Sequence, residues 1–203
     1  MEISTMQTIE TLGTVAFSIS GSFAAMQRRL DPFGVLIIAF VTSIGGGTVR
    51  DLLIGDTPVA WMRDVNYCLL ILLTSLATIF FKTHIKKFKV TLFLFDSAGL
   101  GLFTMLGIQK GIMFGLSPGI CVALGTITGC FGGVIRDTFL NTIPLIFRKE
   151  IYATACILGG ILYFTLKHFN LKEDVANISV IAFIFVFRIV VVKYKLTLPK
   201  FGY

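Results

Sequence analysis

Charged side chains are scarce in this chain, because only 14% of its 203 residues are Asp, Glu, Lys or Arg, whereas 55% are hydrophobic. The mean hydropathy is +0.87. These values exclude an ordinary soluble globular domain. Apolar stretches of about 17 to 20 residues recur along almost the whole sequence, and each is long enough to cross the hydrocarbon core of a bilayer as a helix. The sequence therefore predicts an integral membrane protein.

Patterns typical of catalytic and metal sites are also lacking. The cysteines lie within apolar stretches and show no Cys-x-x-Cys spacing. No Gly-Lys-Ser/Thr follows the glycine run as in a phosphate-binding loop, and no convincing nucleophile and base pair is present. We predict no enzymatic activity, no cofactor and no resident metal. The net charge of +7 comes from basic residues between the apolar stretches, so no nucleic-acid partner is predicted.

One motif occurs twice. Ile-Gly-Gly-Gly-Thr-Val-Arg-Asp at 44–51 returns as Cys-Phe-Gly-Gly-Val-Ile-Arg-Asp at 130–137, and the matching residues are 86 positions apart. The same offset relates Glu10 to Asp96 and Pro58 to Pro144. The chain is therefore predicted to contain two copies of one unit.

Seven membrane spans can be drawn, and together they predict an all-α membrane protein with one transmembrane domain over residues 1–203. The first copy covers about 8–81, the second about 94–167, and the seventh helix about 175–192. The spans are predicted at 8–26, 33–54, 65–81, 91–107, 117–140, 151–166 and 175–192. Three spans per copy is an odd number, so the second copy enters the membrane from the opposite side. The expected fold is two inverted three-helix repeats plus a seventh helix.

The basic residues predict the orientation. Most of them fall on one side of the spans, in the loops that contain Arg28, Arg29, Lys82, Lys86, Lys87, Lys89, Arg148, Lys149, Lys193, Lys195 and Lys200. The positive-inside rule then places the amino terminus outside and the carboxyl terminus in the cytoplasm of a multi-pass inner (plasma) membrane protein. The first span is expected to be retained, since no basic region precedes it. The basic loop at 82–89 has a topogenic role and could also hold anionic lipid headgroups.

Glycines and hydroxyls near the middle of spans two and five are the candidate pore or substrate-binding residues. They are Ser43, Gly45, Gly46, Gly47 and Thr48 in the first copy, and Thr128, Gly129, Gly132 and Gly133 in the second. Small residues at four-residue spacing are also typical of close helix packing. Three successive glycines, however, favour a broken helix at the midplane, whose freed carbonyls can face a polar path.

The candidate gating residues are the charges of the two copies, Glu10, Arg50, Asp51, Asp96, Arg136 and Asp137. Adjacent helical residues diverge by about 100°, so we do not expect Arg50 to contact Asp51 or Arg136 to contact Asp137. A cross-pair of Arg50 with Asp137 is rejected because the two lie near opposite membrane faces. Depth instead predicts pairs of Glu10 with Arg50 and of Asp96 with Arg136. The alternative is that these charges, like Arg188, extend to the headgroups.

The doubled motif, with Gly-Gly-Gly-x-x-Arg-Asp in span two and Gly-Gly-x-x-Arg-Asp in span five, resembles the prokaryotic branch of the trimeric intracellular cation (TRIC) channels. This branch is similar to bacterial proteins described as glycine transporters. The resemblance implies a homotrimer with a potassium-permeable path in each protomer, lined by spans two and five. Phe131 replaces the third glycine of the second copy. Animal members are similar in binding anionic lipid through basic pore-helix residues, which leaves lipid as an open expectation here.

Two functions remain. The first is a passive channel for monovalent cations that favours potassium over sodium only weakly. Carbonyls and hydroxyls at the glycines would replace part of the hydration shell, since no Thr-Val-Gly-Tyr-Gly filter is present. The alternative is a secondary transporter of glycine or another small neutral amino acid, which would use the same symmetric elements. A purely structural membrane protein would explain the small residues but not the mirrored Arg-Asp pairs.

Overall fold

A computed structural model describes residues 5–82, 88–148 and 151–196. Within these ranges the chain forms nine α-helices and no β-strand. The helices are α1 (Thr5–Gln27), α2 (Pro32–Ile54), α3 (Ala60–Arg63), α4 (Val65–Phe81), α5 (Phe88–Met113), α6 (Pro118–Phe139), α7 (Leu145–Arg148), α8 (Ala153–His168) and α9 (Glu173–Lys193). The basic residues Lys86, Lys87, Lys149 and Lys200 lie outside the described ranges.

Each predicted span coincides with one helix. Five of them, α1, α2, α5, α6 and α9, are long and apolar enough to cross a membrane. The helices α4 and α8 are shorter, with 17 and 16 residues. The fourth span was predicted too short, because α5 continues past Gly107 to Met113. The short helices α3 and α7, which follow Pro58 and Pro144, were not predicted.

Helices α2 and α6, which carry the two copies of the glycine motif, are continuous, so the predicted breaks are wrong. Helix α2 begins at Pro32, capped by the Asp31 carboxylate, which accepts a hydrogen bond from the Gly34 amide at 2.8 Å. It ends at Gly55, whose φ of 72° lies in the left-handed region. Between these ends it passes through Gly45, Gly46 and Gly47 without interruption. The physical reason is tertiary, because packing against α6 stabilises the glycine segment as helix.

The centre of the bundle is built from reciprocal contacts between equivalent helices. On α1 and α5 the rings of Phe17 and Phe103 stack with centroids 4.9 Å apart. A Cβ on Gly13 would meet Phe103, and a Cβ on Gly99 would meet Phe17. The residue numbers of these pairs increase along α1, from 13 to 17, while they decrease along α5, from 103 to 99. The two helices therefore run antiparallel.

Helices α2 and α6 cross in the same reciprocal way. A Cβ on Gly46 would overlap the backbone oxygen of Thr128, and a Cβ on Gly132 would overlap that of Thr42. Only glycine permits this backbone approach, which is the geometry of small-residue helix packing in membranes. The glycine motif therefore brings α2 and α6 together at the core of the protein.

Helix α9 packs on the second copy. The largest buried apolar cluster joins Leu100, Met105 and Ile108 of α5 with Val180 and Ile184 of α9, together with residues of α6 and α8. Polar contacts add to it. The Gln109 amide donates to the Tyr163 hydroxyl at 2.9 Å and to the Asn177 amide oxygen at 2.8 Å. The seventh predicted span is thus fixed against the second copy by both kinds of contact.

Candidate functional site

The first-copy network consists of Glu10, Arg50, Asp51 and Tyr67. Arg50 is 5% exposed, and its Nε donates to Asp51 Oδ1 at 2.8 Å. The other oxygen of Asp51 accepts the Ala60 amide at 2.9 Å, which caps the short helix α3. Asp51 therefore binds the guanidinium and also fixes the segment that follows α2.

Glu10 does not form the predicted ion pair with Arg50. Its carboxylate accepts a hydrogen bond from the Tyr67 hydroxyl of α4 at 2.6 Å, and in the described part of the chain the ion-pair partner of Arg50 is Asp51. The prediction was wrong because it excluded contacts between neighbours on a helix. The arginine side chain is long enough to reach the carboxylate of the next residue, although the two Cβ atoms diverge.

A cavity of about 30 Å³ lies beside the first-copy network. Polar groups on its wall come from Glu10, Thr14, Ser43, Thr48, Arg50, Asp51 and Tyr67, and Gly47 and Phe103 add apolar surface. A buried water needs roughly 10 to 15 Å³ measured in this way, so the cavity has room for about two waters. Two carboxylates and one guanidinium border it, a formal excess of one negative charge.

The second-copy network consists of Asp96, Arg136, Asp137 and Tyr152. Arg136 is 1% exposed, and its Nη1 donates to Asp96 Oδ1 at 2.7 Å, as predicted from depth. Its Nε donates to Asp137 Oδ1 at 2.9 Å, which corrects the expectation that these neighbours do not meet. The Tyr152 hydroxyl donates to the second oxygen of Asp96 at 3.0 Å. Unlike Arg50 in the first network, Arg136 forms ion pairs with two carboxylates.

Two further hydrogen bonds complete the second-copy network. Arg136 Nη1 also donates to the Ser20 hydroxyl of α1 at 2.8 Å, which links the two copies. Asp137 Oδ2 accepts the Leu145 amide at 3.1 Å and so caps α7, just as Asp51 caps α3. Arg50 and Asp137 belong to different networks, in agreement with the rejected cross-pair.

The predicted glycine and hydroxyl residues separate into two groups. Ser43, Gly47 and Thr48 line the cavity, and Gly133 lies where a Cβ would be 3.6 Å from Arg136 Nη2. The others lie in helix contacts, namely Gly45, Gly46, Thr128, Gly129 and Gly132. Each hydroxyl donates to the carbonyl one turn earlier, at 2.9 Å from Ser43 to Ala39 and 2.6 Å from Thr128 to Leu124. Their oxygens retain free lone pairs.

A basic recess of about 520 Å³ opens beside the second-copy network. Among the residues that the structure describes, four cationic side chains line it, from Arg28, Lys89, Arg136 and Arg148, against the single carboxylate of Asp137. Arg28, Lys89 and Arg148 come from loops that were predicted to share one side of the membrane, and the fold does bring them together. The recess is therefore strongly positive next to the buried Arg136.

Three side chains at these networks were missed at the sequence level. Tyr67 and Tyr152 both bind the carboxylate of the first helix of their copy, but they are 85 positions apart and so fall out of the 86-residue register. Arg188 was expected at the headgroups, yet it is 1% exposed and lies over the Tyr152 ring. The sequence feature that could have indicated its buried position was a charged residue within an apolar span.

The end of the bundle opposite to the basic recess carries a partly exposed ionic cluster. Asp56, in the loop after α2, pairs with Arg63 and with Lys110 Nζ at 2.5 Å on α5. Hydrogen bonds from Arg63 and then Lys110 lower the pKa of Asp56 to about 2. Neither Arg63 nor Lys110 belongs to the basic group that was predicted on the cytoplasmic side, and this cluster brings the two together.

We expect Asp56→Asn to lower the midpoint of thermal unfolding slightly at pH 7, because the cluster is exposed and screened by solvent. The folded pKa lies below the unfolded one, so the carboxylate stabilises the protein above about pH 4, and this contribution is lost as the pH falls through about 2. Thermal unfolding of both proteins from pH 7 to pH 2 measures it. A deficit of the Asp56→Asn variant that persists unchanged at pH 2 would contradict the ionic origin, and Lys110→Gln should remove part of the same contribution.

Comparison with known proteins agrees with this architecture. The family model described as glycine transporter matches residues 7–83 and 93–168. The UPF0126 inner membrane protein YadS of Escherichia coli strain K12 is 37% identical over 196 residues, which cover 96% of this chain and 95% of the relative. The chain is thus similar over nearly its full length to a bacterial inner membrane protein.

Solved structures are similar as well. The TRIC trimeric intracellular cation channel orthologue from Rhodobacter sphaeroides is 32% identical with a TM-score of 0.89, over 94% of this chain and 98% of that one. A prokaryotic TRIC channel solved in 0.5 M KCl is 33% identical with a TM-score of 0.88, over 95% and 98%. The fold is therefore that of the TRIC channels, and the similarity supports a cation channel and no enzyme.

Proposed function

This chain belongs to the family described as glycine transporter, with solved relatives that are TRIC cation channels, and we propose that it is a potassium-permeable channel of the inner membrane. One observation carries the proposal. Two charge networks occupy equivalent places at opposite ends of a bundle that superposes on cation channels over 94% of its length. Intramembrane charges are costly, and they commonly mark substrate or ion pathways.

The charge distribution supports a cation as the permeating ion. The cavity beside Arg50 has a formal excess of one negative charge, and the hydroxyl oxygens of Ser43 and Thr48 line it. Thr48 Oγ1 also accepts a hydrogen bond from Trp61 Nε1 at 3.2 Å, which leaves it one lone pair. A partly hydrated monovalent cation needs such weak neutral ligands, because tight coordination would slow its departure. The Phe17 and Phe103 stack lies along α1 and α5 between the two networks. We propose that this stack and the ion pairs of the second-copy network interrupt the path in the present conformation.

The inverted arrangement of two three-helix copies in a seven-span protein is part of the proposal. Its support is the antiparallel, reciprocal packing of α1 on α5 and of α2 on α6. The two ranges matched by the family model also begin 86 residues apart, which is the offset of the motif. With the amino terminus outside, the first-copy network is an outer gate and the second-copy network an inner gate, next to the basic recess.

A homotrimer is proposed from the Rhodobacter sphaeroides relative, which is described as trimeric. In this assembly each protomer keeps its own path, because both networks are formed within one chain. Chemical cross-linking of the purified protein should give a ladder that ends at three copies. A ladder that ends at two would contradict the trimer without affecting the channel.

The second candidate function is glycine transport, which the description of the matching family favours. Against it, the cavity beside the first-copy network is small, with a volume of about 30 Å³. A transporter would have to enlarge this cavity during its cycle. The two functions differ in whether the protein carries unitary currents.

Reconstitution of the purified protein decides between them. In planar bilayers with KCl on both sides we expect unitary cation currents, and potassium-loaded liposomes should lose potassium passively. Protein-free bilayers and liposomes are the controls. Saturable uptake of labelled glycine without unitary currents would overturn the channel and establish the transporter. Replacing KCl by NaCl in the same bilayer then measures the preference for potassium.

The basic recess should lower the local concentration of cations at the inner mouth. We therefore expect the double variant Arg28→Gln/Lys89→Gln to raise unitary conductance about two-fold in 0.1 M KCl. Each of the two unit charges contributes roughly 0.4 kcal/mol at about 10 Å in water, and screening over a Debye length of about 10 Å reduces this to roughly 0.15 kcal/mol each. The gain should vanish in 1 M KCl, where the Debye length is about 3 Å. Lys172→Gln, at the start of α9, is the matched control and should leave this conductance unchanged. A conductance gain of the double variant that is the same in 0.1 M and 1 M KCl would contradict a path through the recess.

A further inference from the structure

The last span contains a buried arginine without a carboxylate partner. Arg188 lies on α9, outside the 86-residue repeat, and is 1% exposed. Its Nη1 donates to the Ile151 carbonyl at 3.2 Å, and in the part of the chain that the structure describes its Nε has no hydrogen-bond partner. No described carboxylate forms an ion pair with it. A buried charge left in this state is expensive, which points to a role beyond packing.

The main contact of Arg188 is with an aromatic ring. Its Cζ lies 4.6 Å from the ring centroid of Tyr152 and 5.5 Å from that of Phe93. Both distances are within the range of a cation–π interaction, which is strongest when the groups are desolvated. Because Arg188 also binds the carbonyl of Ile151, it contacts both the ring and the backbone next to it. Arg188 thus fixes the position of Tyr152.

Tyr152 in turn acts on the carboxylate of the second-copy network. Its hydroxyl donates to Asp96 Oδ2 at 3.0 Å, while Arg136 Nη1 binds Oδ1 of the same group at 2.7 Å. The two donors hold the carboxylate from both oxygens, so displacement of the tyrosine would free Asp96 to rotate away from Arg136. The contacts therefore lead from Arg188 to the ring of Tyr152, from the Tyr152 hydroxyl to the Asp96 carboxylate, and from that carboxylate to the Arg136 guanidinium.

Charge balance gives Arg188 a second part in this network. Without it, the buried groups are two carboxylates, Asp96 and Asp137, against the single guanidinium of Arg136. Arg188 makes the formal sum zero. In the first-copy network, by contrast, Arg50 forms an ion pair with Asp51, and Glu10 is bound by the Tyr67 hydroxyl.

We propose that Arg188 is a positioning residue of the inner gate: through Tyr152 it holds Asp96 in its contact with Arg136 and keeps the gate closed. The term gate rests on the proposed channel function. The coupling of Arg188 to Asp96 does not depend on that function. It gives α9 a function that the repeat alone does not supply. A shift of α9 at Arg188 would release Tyr152 and open the second-copy network.

A double-mutant cycle tests the order of contacts. The variants are Arg188→Met, Tyr152→Phe and the two combined, and the measured quantity is the ratio of closed to open time in planar bilayers. We expect each single change to lower this ratio about ten-fold, and the combination to lower it no further, because both remove the same hold on Asp96. Arg188→Lys should restore most of the ratio. If Arg188→Met does not fold, Arg188→Gln replaces it with the same expectation.

The control uses the other buried polar residue of α9. Asn177→Ala removes the hydrogen bond from Gln109 and should lower the thermal midpoint without changing the closed-to-open ratio. Independent, additive effects of Arg188→Met and Tyr152→Phe would overturn the proposal. So would a variant of Arg188 that behaves like Asn177→Ala, since its role would then be structural alone.

The same cycle measured by thermal unfolding separates this proposal from the channel function. If the wild-type protein carries no currents, the channel fails, but losses in thermal midpoint that are less than additive for Arg188→Met and Tyr152→Phe would still establish the positioning role. If currents are present and the thermal losses are additive, the positioning role fails and the channel stands.

Discussion

Replacement of Gly46 by alanine is expected to separate α2 from α6 and to abolish ion flux. The added Cβ would overlap the backbone oxygen of Thr128, which cannot move away as a flexible side chain could. Overpacking in a well-packed core costs typically about 1–3 kcal/mol, and a clash with backbone lies at the upper end of this range. Thermal unfolding in detergent should show a clear fall in midpoint, and Gly132→Ala should do the same because it meets the Thr42 oxygen.

Gly47→Ala is the matched control, one residue further along the same helix. The nearest atom to its Cβ would be Arg50 Nη2 at 3.8 Å, which is an ordinary contact. Alanine also has the higher helix propensity by about 1 kcal/mol, so the thermal midpoint should stay the same or rise. Equal damage from Gly46→Ala and Gly47→Ala would refute the close-packing role. Undisturbed folding of Gly46→Ala would refute it as well.

The sequence was sufficient for the helical plan because hydropathy and length alone define membrane helices. It was insufficient for the glycines. The intrinsic preference of Gly45, Gly46 and Gly47 argues against helix, but packing against a second helix outweighs intrinsic preference. The relevant information was in the partner, Gly132 with Thr128, and the repeat had already placed both residues in the equivalent helix.

The charges were predicted in part for a similar reason. Depth along the helices correctly brought Asp96 to Arg136, since two groups at one level of the membrane can meet. The same argument failed for Glu10, because depth does not specify which of several polar neighbours will be bound. The carboxylate of Glu10 is instead bound by the Tyr67 hydroxyl of α4.

The contribution of α9 could not be derived from the repeat at all. Arg188 has no equivalent 86 residues earlier, so symmetry gives no partner for it. Its burial follows from the docking of α9 on the second copy, where Val180 and Ile184 enter the core. The additional buried cation beside the second-copy network thus comes from an element whose place only the tertiary structure shows.

The largest effect on the charge networks is expected from Arg136→Met, which leaves the carboxylates of Asp96 and Asp137 buried without their cation. Removing one partner of a buried ion pair destabilises by about 3–5 kcal/mol. Asp96→Asn should cost less, because Arg136 keeps Asp137 and Ser20. If the second-copy network is the inner gate, Asp96→Asn should also raise the open time in bilayers, although it lowers the thermal midpoint.

The first copy provides the control, because Glu10 occupies the place of Asp96 but is half-buried and bound by a tyrosine alone. Glu10→Gln keeps an acceptor for the Tyr67 hydroxyl, so its cost should stay below about 1 kcal/mol, the net value of one neutral hydrogen bond. Equal losses from Asp96→Asn and Glu10→Gln would show that the second-copy ion pair adds no stability of its own. A lower open time in Asp96→Asn would show instead that the pair belongs to the conducting state, because loss of a contact that closes the path cannot favour closure.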